Sequence, residues 1–263
     1  MQWNRDSLVV RSKRLNLALQ DDLTLRETRV LQLAVINVRN NITEQRAPTP
    51  VNIHASQYSH YFGADAGYIA LAQVAEKLDS RKFVFLDDDS GTHNWCDKVE
   101  YQEGLGVLKL SLSRSVMDEL PTNPNDWSAR NYTSYRLESC ASLTSVYAVR
   151  MFEILSQWRL LKTTPWIEIT TLRGWFGLPD DRYTRMSDFK RLVIDQSINK
   201  INALTTIHAT YLQKKSGKTI THIQFQFHRT NRRGQPPTPA QLKAEYLASV
   251  VNKTTSKEPY NDY

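Results

Sequence analysis

One order of sequence patterns occurs twice along this chain. Each copy has an amphipathic stretch, a short apolar strand pattern, two compact helical patterns and two further strand patterns. The dipeptides Phe62-Gly63 and Phe176-Gly177 fall at equivalent places, 114 residues apart. Helix, strand, two helices and a closing hairpin is the order of a winged helix, a helix-turn-helix whose hairpin is the wing. We therefore predict an α+β fold with two tandem winged-helix domains.

The first copy is predicted to occupy residues 21–138, after an N-terminal arm of residues 1–20. The arm is interpreted as a loose segment or as a first strand. Apolar residues at helical spacing predict a helix over 24–40, with Asp21 or Asp22 as its N-cap. The patterns that follow predict a strand at 51–53, helices at 55–62 and 66–79, strands at 82–86 and 107–112, and a helix at 114–120.

The second copy is predicted to occupy residues 144–230, with the joint between the copies at 138–143. Its patterns predict a helix at 144–158, a strand at 166–169, helices at 170–177 and 186–202, and strands at 207–213 and 219–227. Pro236, Pro237 and Pro239 closely follow Gly234, and residues 231–263 are predicted to be a flexible C-terminal tail with a short helix.

The positive charge of the chain is concentrated in its second half. Residues 144–233 contain 15 Lys and Arg against 6 Asp and Glu, a net of +9, whereas residues 1–143 contain 16 against 18. Such clustering is typical of a module that binds a polyanion, and double-stranded DNA is the partner that a helix-turn-helix predicts. The alternative is a basic, solvated face without a partner.

The start of the predicted helix 186–202 carries the most specific signal. Arg185, Lys190 and Arg191 lie on its first turn, away from its apolar stripe, and Ser187 lies among them. Basic residues at a helix N-terminus oppose the helix dipole at a cost of about 0.3–1 kcal/mol each, which an anionic partner would offset. We predict that this helix enters the major groove. The alternative is a solvated turn in which Asp188 pairs with a neighbouring basic residue.

The predicted wing of the second copy ends in a lysine-rich turn. Lys214, Lys215 and Lys218 surround Gly217 on this tight hairpin and are expected to contact phosphates, which position a protein without reading sequence. The competing interpretation is an ordinary soluble hairpin whose edge carries lysines.

The first copy has weaker candidates for DNA contact. Arg81 and Lys82 precede its predicted wing strand, and both are included as candidate phosphate contacts. Its helix 66–79 carries Glu76 and Asp79 with a single lysine, so it is poorly suited to reading bases. This copy is therefore expected to contact the DNA backbone or another subunit.

No pattern in the sequence predicts an enzyme, a cofactor or a metal site. Gly217-Lys218-Thr219 is similar to the end of a phosphate-binding loop, but position 212 is leucine where that loop needs glycine. The six histidines include no His-x-His pair of the kind that nicking relaxases use. The run 87–89 of three aspartates is interpreted as a solvated loop.

Cellular location is predicted from cysteine content and hydropathy. Cys96 and Cys140 fit a reducing cytoplasm as inert thiols, and two cysteines are too few for a structural zinc site. No stretch approaches the roughly 18 apolar residues of a membrane span, and no secretory signal is visible. We expect no membrane partner.

The second half resembles a known family. The stretch from Ser145 to Glu153, continuing to Trp158, resembles the linker helix of iteron-binding plasmid replication initiators. Further matching segments follow in that family's order: Leu178-Pro179, Tyr183, Arg185-Met186, Asp188 to Arg191, Ile201-Asn202, Lys214-Lys215 and Thr221 to Ile223. The similarity is specific over 132–228 and weaker over 20–120. The chain departs from the pattern at Ser187, where proline is frequent, and at Leu192, where a third basic residue occurs.

The resemblance implies how such a chain would act. Its second winged helix would read half of each origin iteron in the major groove, and its first would contact phosphates and mediate dimers. Monomers would initiate replication at the iterons, whereas dimers would repress the initiator's own gene at an operator inverted repeat. The host replication initiator and the host helicase would be its partners.

Two other functions remain open from sequence. A transcriptional regulator with the same fold would repress a promoter without supporting plasmid maintenance. A DNA-nicking enzyme would need a metal-dependent active site, and the sequence offers no ligands for one.

Overall fold

The computed structural model describes residues 7–41, 50–63, 67–87, 91–122 and 131–230. The tail 231–263, the first six residues and the second and third aspartates of the run 87–89 lie outside the described residues. In the first half the elements are β1 (Leu8–Ser12), α1 (Lys13–Asn16), β2 (Leu19–Gln20), α2 (Leu25–Asn40), β3 (Val51–His54), α3 (Ala55–Phe62), α4 (Gly67–Ala75), β4 (Lys82–Val84), β5 (Thr92–Asn94), β6 (Cys96–Gln102), β7 (Val107–Leu112), α5 (Arg114–Met117) and β8 (Tyr132–Arg136).

The second half is built from fewer elements. They are α6 (Val146–Gln157), β9 (Ile167–Glu168), α7 (Ile169–Trp175), α8 (186–204), β10 (Ile207–Ser216) and β11 (Thr219–Arg229). Within α8, Met186–Phe189 and Gln196–Leu204 are α-helical, and the segment Lys190–Asp195 between them is π-helical.

The two halves share one winged-helix plan. In the first, the sheet order is β3-β7-β6, and in the second it is β9-β11-β10. In both, the short strand before the helix-turn-helix pairs antiparallel with the second strand of the wing hairpin, through Ile53 opposite Leu108 and Ile167 opposite Ile223. The predicted fold of two tandem winged helices is confirmed.

The first wing, however, is not the hairpin that the sequence pattern predicted. β4 belongs to a separate sheet, with β2 and β5 as its neighbours. The wing is formed by β6 and β7, and β6 carries Asp97, Lys98 and Glu100 on a mostly solvent-facing strand. Only Val99 and Tyr101 supply apolar alternation in β6, and its register shifts between Cys96 and Lys98. So short an alternation is a weak sequence signal, and β6 was not predicted.

The interpretation of residues 1–20 as a loose arm is wrong for residues 7–20. β1 pairs antiparallel with β8 along its whole length, for example Val9 opposite Tyr135. Val9 and Val10 are completely buried. The strand interpretation therefore holds, and the long-range partner of the strand explains why local sequence could not decide between the two.

Helix α2 begins one residue after Thr24, not after an aspartate cap. The Thr24 hydroxyl accepts a hydrogen bond from the amide of Glu27, and the Glu27 carboxylate accepts one from the amide of Thr24. This reciprocal capping box satisfies two amides that a helix start leaves free. Asp21 instead accepts a hydrogen bond from the amide of Lys82, and Asp22 pairs with Arg182.

The π-helical segment of α8 explains how its apolar stripe stays in the core. Phe189, Val193, Ser197 and Ile201 recur every four residues, and all four are buried. In an α-helix of 3.6 residues per turn this spacing would drift by about 40° at each step. The wider π-helical turn lets these residues share one side of the helix. The sequence-predicted stripe of Phe189, Val193, Ile194, Ile198 and Ile201 is entirely buried.

Helix α6 is fixed in the structure by a buried ionic cluster. The Glu153 carboxylate pairs with Arg11 at 2.6 Å and with Arg150 at 3.2 Å, and it accepts hydrogen bonds from Tyr135 and Gln32. Burial alone would raise the pKa of Glu153, but the two arginines outweigh it and lower that pKa to about 2. The cluster ties α6 to β1, α2 and β8 of the first half.

Candidate nucleic-acid interface

The start of α8 is exposed and carries the predicted basic residues. Arg185 is the N-cap residue and makes no side-chain cap hydrogen bond. Arg185, Ser187 and Arg191 are exposed, and Lys190 is half-buried. Because Phe189 on the same turn is buried, this turn presents its polar side chains to solvent while its apolar side holds it against the core.

Arg173 holds the turn that leads into α8. Its guanidinium donates to the carbonyls of Pro179, Arg182 and Tyr183, at 3.0, 2.7 and 3.0 Å. It also lies 5.4 Å from the centroid of the Phe189 ring. Tyr183 has a φ of +52°, an unfavourable conformation for a residue with a large side chain. Arg173 thus stabilises the strained turn and fixes the direction in which α8 leaves it.

Arg191 makes the contact that the alternative interpretation of this turn proposed. One of its terminal nitrogens lies 3.0 Å from the Asp188 carboxylate, one helical turn earlier. The Arg191 side chain nevertheless remains 68% exposed. An exposed pair of this kind contributes about 0.2–1 kcal/mol, and a guanidinium has five N–H donors. The pair therefore leaves Arg191 able to bind a second acceptor.

Lys190 is positioned by the wing. Its ammonium lies 5.8 Å from the centroid of the Tyr211 ring, and the Tyr211 hydroxyl donates to the Asp195 carboxylate at 2.9 Å. Burial and the neighbouring Asp195 carboxylate raise the pKa of Tyr211. The contact orients Lys190 along the space between α8 and β10.

The second wing is a long hairpin with a two-residue turn. Ser216 pairs with Thr219 around Gly217 and Lys218, and Gly217 has a φ of +59°. Lys214, Lys215 and Lys218 are exposed. The strand β10 is an edge of its sheet and has a register shift between Lys214 and Lys215. Lysines and bulges also protect sheet edges from aggregation, so these two lysines fit both interpretations of the turn.

A groove joins the wing turn to the start of α8. It has a volume of about 690 Å³, and its lining includes Ser187, Lys190 and Lys218 together with Arg173 and Asp180. The structure therefore brings together three of the predicted contact residues from two elements. The other candidates in the second half, Arg185, Arg191, Lys214 and Lys215, are outside this groove lining.

Arg81 and Lys82 lie in a different place from the one predicted. They flank the start of β4 and do not precede a wing strand. The Arg81 guanidinium forms two hydrogen bonds with the buried Glu27 carboxylate, at 2.8 and 3.1 Å. That carboxylate caps α2, so Arg81 is held in the fold. Lys82 is exposed.

In the described part of the chain, no group of three or more His, Cys, Asp or Glu side chains could hold a metal ion. No helix in the same ranges is both long and apolar enough to span a membrane. Burial raises the pKa of Cys96 to about 12 and also raises that of Cys140. Asp87, the one described member of its aspartate run, pairs with Arg14 at 2.7 Å.

Two further side chains, Arg173 and Tyr211, build this interface and were not predicted from the sequence. Arg173 lies in a short helix, and in the sequence it cannot be told from a solvated basic residue. Its carbonyl partners are brought to it only by the fold of the turn. Tyr211 lies on β10 among polar residues. An aromatic residue is common in a strand, so the sequence gives no signal that distinguishes Tyr211.

Two family models match this chain. One, described as "Initiator Replication protein, WH1", matches residues 8–156, and the other, described as "Initiator Rep protein, WH2", matches residues 168–227. A curated relative, an uncharacterized 27.6 kDa protein of Escherichia coli, is 29% identical over 133 residues, which are 49% of this chain. The match spans about half of that relative, 52% of its length.

One solved structure shows the same fold, and a second was matched over a smaller part of the chain. The crystal structure of Pi initiator protein in complex with iteron DNA matches with a TM-score of 0.67 and 18% identity, over 87% of this chain and 99% of that chain. The WH1 domain of MSBI1.176, a replication protein isolated from a multiple sclerosis patient, is 24% identical over 37% of this chain and 79% of that chain. Its TM-score of 0.32 supports no structural argument. Because the first family model alone covers more than half of its residues, the chain belongs to the family of initiator replication proteins, as its resemblance to iteron-binding plasmid initiators predicted.

Proposed function

We propose that this chain is a sequence-specific double-stranded DNA-binding protein that initiates plasmid replication at origin iterons. The observation that carries the proposal is the exposed basic start of α8, which adjoins the lysine-bearing wing across a single groove. It lies in the segment with a net charge of +9. The Pi initiator protein, which shares the fold, was crystallised with iteron DNA.

The side chains divide into two proposed roles. Arg185, Ser187 and Arg191 would face base edges in the major groove, where a bidentate arginine–guanine contact contributes about 1–3 kcal/mol of discrimination. Lys214, Lys215 and Lys218 would contact phosphates and set the register of the protein on the duplex. Lys190, held beside Tyr211, would lie between these two sets. Lys82 is the remaining candidate phosphate contact of the first winged helix.

The wider activity is proposed from the family. The chain would act in the bacterial cytoplasm on plasmid DNA, without catalytic activity of its own. It would recruit the host replication initiator and helicase. As a dimer it would repress its own gene at an operator inverted repeat.

A footprint of the full chain on its own plasmid's origin tests the proposal. We expect protection of a series of short direct repeats, and binding that weakens with salt by a log–log slope of about −0.9 for each neutralised phosphate. Absence of protected repeats, or affinity independent of salt, would contradict it. A plasmid carrying the origin should also require the chain for maintenance. Promoter repression without maintenance would instead identify a transcriptional regulator.

A further inference from the structure

A short segment of the first half lies between the two winged helices. Residues 18–22 include β2, which pairs with β4 through Leu19 opposite Val84 and Gln20 opposite Phe83. The same residues pack against α7, the first helix of the second helix-turn-helix. One segment thus contacts both halves directly.

Two glycines permit the close approach on the side of α7. A Cβ atom at Gly174 would lie 2.7 Å from Cδ2 of Leu19, and one at Gly177 would lie 2.3 Å from the carbonyl oxygen of Asp21. Both distances are shorter than real Cβ contacts. Gly177 also has a φ of +63°, which favours glycine on its own account. The packing of residues 18–22 therefore requires glycine at 177, where the neighbour is backbone, and at 174 a larger side chain would displace the Leu19 side chain.

A buried arginine joins the same parts from the side of α6. The Arg150 guanidinium donates to the carbonyl of Trp175 at 2.6 Å and to the carbonyl of Ala18 at 3.3 Å. It is also paired with Glu153, at 3.2 Å. Trp175 is the last residue of α7, and the turn after it leads to α8. Arg150 therefore fixes the end of α7 relative to the first half.

An exposed ion pair closes the edge of this junction. Arg182 lies 2.9 Å from the Asp22 carboxylate and 3.4 Å from the Tyr147 hydroxyl. Arg182 belongs to the turn whose carbonyls Arg173 holds. The contacts of residues 18–22 thus extend from α7 to the turn before α8.

We propose that this junction, formed by residues 18–22 with Gly174, Gly177, Arg150 and Arg182, holds the two winged helices at one separation and makes the chain selective for the spacing between the two parts of its DNA site. Any displacement of α7 against residues 18–22 would move α8 relative to the first winged helix. Arg150 is then a positioning residue that acts through Trp175. The inference rests on the proposed function, because it requires both winged helices to contact one duplex.

The test compares two duplexes, using the full chain. One is the cognate site, and the other has two base pairs inserted between the parts that the two winged helices protect. Because B-DNA repeats in about 10–10.5 base pairs over roughly 34–36 Å, the insertion rotates the parts by about 70° and separates them by about 7 Å. We expect the wild-type chain to bind the inserted duplex at least tenfold more weakly.

Variants of the glycine contact should change the ratio between the affinities for the cognate duplex and for the inserted duplex. In Gly174→Leu the added side chain collides with Leu19, and the ratio should fall to about twofold through lost affinity for the cognate duplex. Adding Leu19→Ala makes room for the new side chain and should restore the ratio. Thr170→Leu places the same side chain on the exposed face of α7 and serves as the matched control, with an unchanged ratio.

An exposed change tests the junction without a risk to folding. Asp22→Lys replaces the pair with Arg182 by a repulsion and should lower the ratio by at least twofold, with an unchanged melting temperature. Equal wild-type affinities for the two duplexes would overturn this inference alone. An affinity ratio equal to that of the wild-type chain, in both Asp22→Lys and a folded Gly174→Leu variant, would also overturn this inference. A chain that binds no origin duplex would overturn the proposed function and this inference with it.

Discussion

Replacing Arg191 by alanine separates sequence recognition from general DNA affinity. Its guanidinium lies at the exposed start of α8, and its one described partner is the Asp188 carboxylate at 3.0 Å. Loss of that exposed pair costs at most about 1 kcal/mol of folding free energy. For a winged helix of under 100 residues that corresponds to a fall in melting temperature of no more than about 8 °C. The variant should therefore remain folded.

The effect on binding should be much larger for the cognate site. A bidentate contact with guanine contributes about 1–3 kcal/mol of discrimination, so the affinity ratio between iteron and scrambled duplexes should fall by about 5- to 150-fold. The substitution also leaves the Asp188 carboxylate unpaired on the proposed DNA-binding surface, which should weaken binding to every duplex. Adding Asp188→Asn should recover this general loss without restoring the ratio.

Competition binding with the two duplexes measures both effects. Lys215→Ala, on the wing, is the matched control: it should weaken both duplexes equally and reduce the salt slope by about 0.9, because a phosphate contact carries no sequence information. If Arg191→Ala lowers both affinities by one factor, Arg191 does not read bases, and the assignment of its role is wrong.

Three further predictions follow from other parts of the molecule. Glu153→Gln leaves two buried arginines without their carboxylate and should cost about 3–5 kcal/mol in urea unfolding. The folded state lowers the pKa of Glu153 to about 2, from an ordinary value near 4.3. The stability that Glu153 contributes is therefore fully present above about pH 4.3 and is lost as the pH falls towards 2. Acid titration followed by circular dichroism should therefore be flatter in the variant over that range. Arg173→Ala should lower cognate affinity about tenfold in the same competition assay, although its side chain binds the turn before α8; unchanged affinity would show that the turn needs no such support. Removal of residues 234–263 should leave the melting temperature and iteron affinity unchanged, since the excess positive charge precedes them; a lower melting temperature would assign the tail a structural role, and a lower affinity alone would assign it a DNA contact.

Local periodicity predicted the helices that carry an apolar stripe. Apolar residues at helical spacing identified the helix over 24–40, although 11 of the 16 residues of α2 are buried, and they identified the five apolar positions of α8, all of which are buried. Charge clustering likewise located the exposed start of α8. These features are local, so a single sequence contains them.

Features that depend on distant parts of the chain could not be predicted in this way. β1 pairs with β8 more than 100 residues later, and Arg81 pairs with Glu27 on another element. A basic residue has the same sequence signature whether it faces solvent or a buried carboxylate. The contacts of α6 with both halves could not be predicted either. Its buried Glu153 pairs with Arg11 of the first half, while its Arg150 holds the end of α7 in the second.

The two winged helices share a plan but not a surface, and this difference assigns their tasks. α4 is the equivalent of α8 in the first half, yet its exposed residues near the start are Tyr68 and Ile69, which are 64% and 58% exposed. Placed in a major groove, these two side chains would offer base edges no charged group and no bidentate donor. The corresponding turn of α8 offers Arg185 and Arg191. Base recognition is therefore expected from the second winged helix, and the first contributes to specificity through the separation at which the junction holds it.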